Sequence, residues 1–205
     1  MFDALFSHFC HQIPERSFAF GGAALPFCHR CAGVYVGAVA AAALLASFGL
    51  SQRRTLPRPV LVVNILFLLA MGVFGFHLVE TPPVGRYVVG AAFGSAVVML
   101  SWPLVFARLS RHRGPAWSAG DHVRYAVVLC AALAGLPLVF GSGPAWLAGV
   151  FAAVGLLGLA LVVLLPNVLL AQVVVRSSAV RRRTPVLVLV VLGLLASETL
   201  LIAGW

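Results

Sequence analysis

The chain has very little charge and no lysine. Only 9% of its 205 residues are charged, and its basic residues are 14 arginines against five acids. In an average soluble protein, roughly a quarter of the residues are charged, so this chain has too few charged residues to cover a water-facing surface. The scarcity of charge excludes a soluble globular domain, a disordered chain and a coiled coil.

The sequence also lacks a basic patch interleaved with aromatic residues, although its formal net charge is +9. In so apolar a chain, arginine-rich loops that meet anionic lipid headgroups explain the charge better than nucleic acid does. We therefore expect membrane lipids as partners and no nucleic acid. The first nine residues contain Asp3 and no arginine, so a cleavable signal peptide is not expected.

Long apolar runs dominate the composition: 62% of the residues are hydrophobic and the mean hydropathy is +1.07. Crossing the hydrocarbon core as a helix takes about 20 residues. Six runs meet that length, at residues 33–50, 60–79, 87–106, 123–140, 145–175 and 185–203. The sequence thus predicts an all-α fold, a polytopic transmembrane helix bundle of about six spans. It would form a single membrane domain over 1–205, with a Cys/His-rich segment at 1–32, spans one to three at 33–106 and spans four to six at 123–203.

Arginines are distributed unevenly between the two ends of these predicted spans. Three of them (Arg16, Arg30 and Arg86) fall on the side of the N-terminus, and the other eleven fall on the opposite side. Because basic loops stay in the cytoplasm, we expect the N-terminal segment to be extracytoplasmic.

Two local patterns concern packing. Apolar residues at the helical spacing i, i+3, i+4, i+7 predict a short N-terminal helix on the membrane surface; they are Phe2, Leu5, Phe6 and Phe9. Small residues recur four apart at Gly33/Gly37 and at Gly90/Gly94. This spacing lets helix backbones approach closely, so it favours tight packing over a role in ligand binding.

Polar chemistry is concentrated before the first span. Cys28 and Cys31 form a Cys-x2-Cys pair near a helix N-terminus, which is the usual first half of a tetrahedral zinc site. Cys10 is the expected third ligand, and His11 or His77 is expected to complete the shell. Zinc is the expected metal, and copper(I) is the alternative because soft thiolates select it.

Other interpretations of these residues stay open. A disulfide joining Cys10 to Cys28 or Cys31 suits an oxidising exterior, and the remaining thiol would make a redox relay. Glu15 either pairs with Arg16 or acts as a general acid beside a metal-bound water. Arg86 either binds an anion or extends to the membrane surface. The candidate catalytic residues are therefore Glu15, Arg16 and Arg86. The sequence does not identify a reaction for them.

Three functions follow from these alternatives. The first is an integral membrane protein with an extracytoplasmic Cys/His metal site at the mouth of the bundle. The second is a membrane metalloenzyme or a thiol-disulfide oxidoreductase. The third is a transporter or channel with a structural metal, for which Glu198 in the last predicted span is the support. A homo-oligomer and an unidentified ligand stay open as partners.

The motifs resemble a family of bacterial and archaeal membrane proteins catalogued as a domain of unknown function. Its pattern CHQ-x-PERSF followed by C-x-RC-x-G-x-Y-x-G is matched from Cys10 to Gly37, and Arg86-x3-Gly90-x3-Gly94 resembles its third span. The resemblance covers about residues 8–95 and implies the cytoplasmic membrane of a prokaryote, with no known activity. Many members carry an Asp-Gly pair before the third span, where this chain has His77 and Glu80 instead.

Overall fold

The computed structural model describes residues 6, 7, 10, 12, 14–47, 56–75, 79, 81–109, 117–139 and 143–177. After the isolated residues at the start, the chain forms a 3-10 turn, Pro14–Arg16, followed by strands β1 (Ser17–Phe20) and β2 (Ala23–Cys28). Five helices come after them: α1 (His29–Ser47), α2 (Arg58–Gly75), α3 (Pro83–Leu109), α4 (Ala119–Val139) and α5 (Trp146–Ser177).

The hairpin of β1 and β2 corrects the expectation of an all-α fold. The strands pair antiparallel, with Phe20 opposite Ala23 and Ser17 opposite Cys28. The two-residue turn is Gly21-Gly22, with φ of 52° and 83°. Positive φ at both positions matches the right-handed twist of a hairpin and suits glycine. The chain therefore reverses here and then enters α1 directly from β2.

The described part of the chain contains fewer helices that could span a membrane than the sequence predicts. In the described part, three helices are long and apolar enough to cross a membrane: His29–Ser47, Pro83–Val105 and Trp146–Gln172, with Arg58–Phe74 as a shorter apolar helix. The prediction of about six spans is therefore not supported. Helix α4 contains Asp121, His122 and Arg124 near its start, so the apolar part that follows them is too short for a full span. The sixth predicted span, 185–203, lies outside the described residues.

Helices α1 and α3 cross through their glycines, as the spacing predicts. A Cβ added at Gly33 or Gly37 would collide with the backbone of Tyr87 or Ala91 on α3. In return, a Cβ at Gly90 or Gly94 would collide with the backbone of α1. The two backbones are thus in direct contact over two helical turns, which fixes the start of α1 against the start of α3.

Buried polar side chains join α4 to its neighbours. The Tyr87 hydroxyl of α3 donates to the Ala132 carbonyl at 2.6 Å. The fully buried Asn64 amide of α2 donates to the Tyr125 hydroxyl at 3.0 Å and to the Val60 carbonyl at 2.7 Å. Such bonds are stabilising where no water competes for the polar groups.

Phe6 is part of the protein core and does not lie on the membrane surface. Its side chain is fully buried, and its ring lies 4.8 Å from Phe27 and 5.7 Å from Tyr35, centroid to centroid. The expected interfacial position is therefore wrong for this residue, because the hairpin and α1 offer it a closed aromatic pocket. The other members of the predicted amphipathic face (Phe2, Leu5 and Phe9) lie outside the described residues.

Candidate metal centre

Three cysteines from separate parts of the N-terminal region meet at one point. Cys28 is the last residue of β2, Cys31 lies in the first turn of α1, and Cys10 comes from the segment before the hairpin. Their three sulfur atoms all lie within 4.8 Å of one another. We call these three residues the cysteine cluster.

The hairpin explains why Cys10 can reach the other two cysteines. The 3-10 turn and β1 lead the chain away from Cys10, and β2 brings it back. The backbone N–H of Cys28 then donates a hydrogen bond to the Cys10 sulfur at 3.2 Å. At the same junction, the backbone N–H groups of Cys31 and Arg30 donate to the Cys28 sulfur. Backbone donors at a helix N-terminus favour a negatively charged sulfur.

The sulfur atoms share protons unequally. Hydrogen bonds from the Cys10 and Cys31 thiols lower the pKa of Cys28 far below its usual value, with the two backbone N–H groups adding to the effect. The pKa of Cys10 is raised, first because its thiol is held in the hydrogen bond to Cys28. The cluster therefore presents a thiolate at Cys28 beside a thiol at Cys10. A thiolate is the form of cysteine that binds metals and attacks disulfides.

Aromatic rings enclose the cluster from the bundle side. Phe27 and Tyr35 are buried, and their rings meet edge to face at 5.3 Å between centroids. The Tyr35 side chain is hydrogen-bonded to Cys31. Cys10 is 6% exposed, whereas Cys28 and Cys31 are half-buried. The cluster is thus shielded on one side and accessible on the other.

The donor set fits a thiophilic metal ion. Zn–S bonds of about 2.3 Å at tetrahedral angles place sulfur atoms about 3.8 Å apart. Sulfur atoms that already lie within 4.8 Å of one another need small rotations of their side chains to reach that spacing. The four cysteines of the chain are all free, so the structure contains none of the disulfides considered from the sequence.

The remaining candidates do not join the cluster in the described part of the chain. Glu15 and Arg16 are exposed, and neither belongs to the group of converging ligand atoms. Arg86 is half-buried in the first turn of α3, where its Nε donates to the Thr81 carbonyl at 3.0 Å. The expected fourth ligands, His11 and His77, lie outside the described residues, as do Glu80 and Glu198.

Two residues near the cluster were missed in the sequence. Gln12 has a φ of 48° and donates from its side chain to the Pro26 carbonyl at 3.0 Å, which ties the segment after Cys10 to β2. His29 is buried, and its ring packs on Phe18 with centroids 4.0 Å apart. Both positions depend on the hairpin of β1 and β2. The sequence did contain a signal for that hairpin, the Phe-Ala-Phe-Gly-Gly run, because Gly-Gly after apolar residues predicts a tight turn between two strands.

Comparison with known proteins agrees with the resemblance seen in the motifs. Residues 10–100 match the model of a family described as "Predicted membrane protein (DUF2085)". An "Uncharacterized protein" of Methanothermobacter thermautotrophicus is 52% identical over 33 residues, which are 16% of this chain and 30% of that protein. No solved structure matches the chain. Residues 10–100 therefore fit an uncharacterised membrane-protein domain family, and the cysteine cluster lies inside the matched range.

Proposed function

We propose that this domain binds one metal ion, zinc, through Cys10, Cys28 and Cys31 at the extracytoplasmic mouth of its helix bundle. His11 or His77 supplies the fourth ligand in this proposal. The metal fixes the segment before the hairpin against the start of α1.

The convergence of the three sulfur atoms within 4.8 Å carries the proposal. Three thiols from three separate elements gain little by packing together, because each is a small side chain with weak hydrogen-bonding capacity. A bound metal ion would explain why the three thiols converge, because its bonds to the deprotonated sulfurs outweigh the repulsion between them. The backbone N–H donors on Cys28 support the same conclusion because they stabilise the ligating form.

Zinc is preferred over copper(I) because the chain offers imidazole for a fourth position. A tetrahedral shell of three sulfurs and one nitrogen is a common structural zinc site, whereas copper(I) is bound by thiolates without a nitrogen ligand. The two metals are distinguished by elemental analysis of protein prepared with each metal supplied in turn. Stable retention of copper alone would overturn the zinc assignment.

The metal content of the detergent-purified full chain tests the proposal. We expect about one zinc per chain in the wild type and loss of zinc in Cys28→Ser and Cys31→Ser. The matched control is Cys130→Ser, because Cys130 is an exposed residue in the middle of α4 and not a member of the cluster. Wild-type protein without metal after purification under reducing, chelator-free conditions would refute the proposal, as would equal zinc content in all four proteins.

A thiol-disulfide oxidoreductase is the second candidate, and the lowered pKa of Cys28 favours it. In that function, the Cys28 thiolate attacks a disulfide of a substrate protein, one substrate sulfur leaves as a thiolate, and a neighbouring thiol then displaces the substrate to form a disulfide in this chain. Counting free thiols after incubation with a small disulfide separates the two functions. Metal-loaded protein keeps its three clustered thiols unreactive, whereas an oxidoreductase loses two of them.

A further inference from the structure

His29 is a buried imidazole with an unused hydrogen-bonding atom. The residue is 7% exposed, and its buried Nδ1 has no hydrogen-bond partner among the described residues. A polar atom that loses its hydrogen bond to water on burial and gains no other bond destabilises the fold. Buried atoms of this kind are therefore rare, and they often indicate a bound ligand, ion or water. The ring is held firmly by its edge-to-face contact with Phe18, so the unused atom has a fixed position.

Arg86 lies one helical turn before Gly90, on the face of α3 that packs against the start of α1. The ring of Phe18 contacts both His29 and Tyr87, at 4.0 Å and 5.9 Å between centroids. The glycine contacts at the same level hold the Arg30 carbonyl against Gly90. The start of α1, where His29 is the first residue, therefore lies against the turn of α3 that follows Arg86.

The guanidinium of Arg86 is positioned for an acceptor that the described residues do not provide. Its Nε donates to the Thr81 carbonyl, which holds the planar group in one orientation. Within the described ranges, its two terminal nitrogens have no acceptor. The first turn of α3 also contains no acidic residue. A planar fork of donors with fixed orientation is suited to the bidentate binding of an oxyanion.

We propose that His29 and Arg86 together bind a phosphate group at the end of the bundle that carries the cysteine cluster. The Arg86 fork binds two phosphate oxygens and supplies the charge, and the neutral His29 ring donates its Nδ1–H to a third oxygen. Two of the spanning helices begin at this level, so the phosphate of an anionic lipid headgroup and free phosphate both have access. This proposal does not depend on metal binding at the cysteine cluster.

Titration of the purified full chain with two probes tests the proposal. Inorganic phosphate represents the free anion, and dihexanoyl phosphatidylglycerol, which is soluble as a monomer, represents the lipid headgroup. Saturable binding of one molecule per chain by isothermal calorimetry is expected for at least one probe. Binding of both at similar affinity identifies a free-anion site, and binding of the lipid alone identifies a headgroup site.

Variants decide whether these two residues form the site. We expect Arg86→Gln to weaken binding at least about tenfold and Arg86→Lys to weaken it less, because lysine keeps the charge and loses the fork. The control is Arg58→Gln, which removes one charge from an exposed arginine at the start of α2 and is expected to stay within about twofold. His29→Phe keeps the packing on Phe18, removes the donor, and is expected to weaken binding about threefold.

Two results would overturn the proposal. One is the absence of saturable binding of both probes, and the other is an equal loss of affinity in Arg86→Gln and Arg58→Gln. If Arg86→Gln does not fold, His29→Phe makes the same test, and unchanged affinity in that variant is contradictory. Zinc content is measured on the same samples, so a failure of metal binding is recorded separately from a failure of phosphate binding.

Discussion

Replacing Gly90 with alanine tests whether the helix crossing positions the cysteine cluster. A Cβ at Gly90 would lie 3.1 Å from the Arg30 carbonyl carbon and 3.1 Å from the Val34 nitrogen, and closer still to the Arg30 oxygen. All three atoms are backbone, so no flexible side chain can move aside. Helix α1 itself must therefore shift away from α3 at this level.

The expected effect has two parts. Forcing an extra carbon into a close-packed contact costs about 1–3 kcal/mol of folding free energy. The shift also reaches the cluster, because Arg30 lies between Cys28 and Cys31. Metal–ligand distances tolerate deviations of only about 0.2 Å, so a displaced Arg30 backbone is expected to lower zinc affinity about tenfold or more.

The assay compares Gly90→Ala with Gly72→Ala in detergent. Gly72 lies in α2, and a Cβ added there would meet nothing within 4 Å. Alanine at position 72 is expected to stabilise its helix by up to about 1 kcal/mol and to leave zinc affinity unchanged. Thermal unfolding reports stability, and competition with a chromophoric chelator reports zinc affinity. Equal stability and equal zinc affinity for the two variants would refute the role assigned to the crossing.

Three further predictions concern the core, the cluster and the hairpin. Tyr125→Phe is expected to lower the free energy of unfolding by about 1 kcal/mol, because it removes a hydrogen-bond partner of the buried Asn64. Asn64→Leu is expected to be nearly neutral in thermal unfolding, because it also removes the buried Asn64 Oδ1, which has no partner among the described residues. A larger loss of stability in Asn64→Leu than in Tyr125→Phe would contradict this prediction. Zinc affinity, measured by chelator competition, is expected to rise with pH by about tenfold per unit for each proton released. The reason is that the raised pKa of Cys10 keeps its thiol protonated near neutral pH, and metal binding must displace that proton. An affinity that does not change between about pH 6 and about pH 8 would disprove this prediction. Gly22→Ala is expected to destabilise the protein by about 1 kcal/mol, because φ is +83° at this position. Gly22→Asn is expected to lose less stability, because asparagine tolerates a positive φ. Equal melting temperatures for the two variants would contradict the turn assignment.

Close backbone packing at the glycines of α1 and α3 was predictable from local spacing, whereas the pairing of these two helices with each other was not. Glycines four residues apart lie on one helix face, and Gly33/Gly37 and Gly90/Gly94 do face each other. The number of spans was not predictable in the same way. Hydropathy of a run such as 123–140 does not show where the polar first turn of the helix begins, and α4 starts four residues earlier, at Ala119.

The cysteine cluster could be suspected from the sequence, but its geometry depends on an element that was missed. Cys-x2-Cys at a helix start is a local pattern, so the proximity of Cys28 and Cys31 followed from spacing. Cys10 lies 18 residues before Cys28, and the chain reversal at the Gly21-Gly22 turn brings the two together. His29 was missed for a similar reason, because its burial depends on Phe18 of the hairpin rather than on its own neighbours in the chain.

The fourth position of the proposed zinc shell decides between a structural and a catalytic centre. A histidine there closes the shell, and the metal then serves to hold Cys10 and the hairpin on the bundle. A water there would be activated by the metal, and it would need an acid or a base beside it. Glu15, the acid nearest in sequence to the hairpin, is exposed and outside the group of converging ligand atoms. We propose that a histidine closes the shell, and a double variant of His11 and His77 that keeps full zinc content would contradict this proposal.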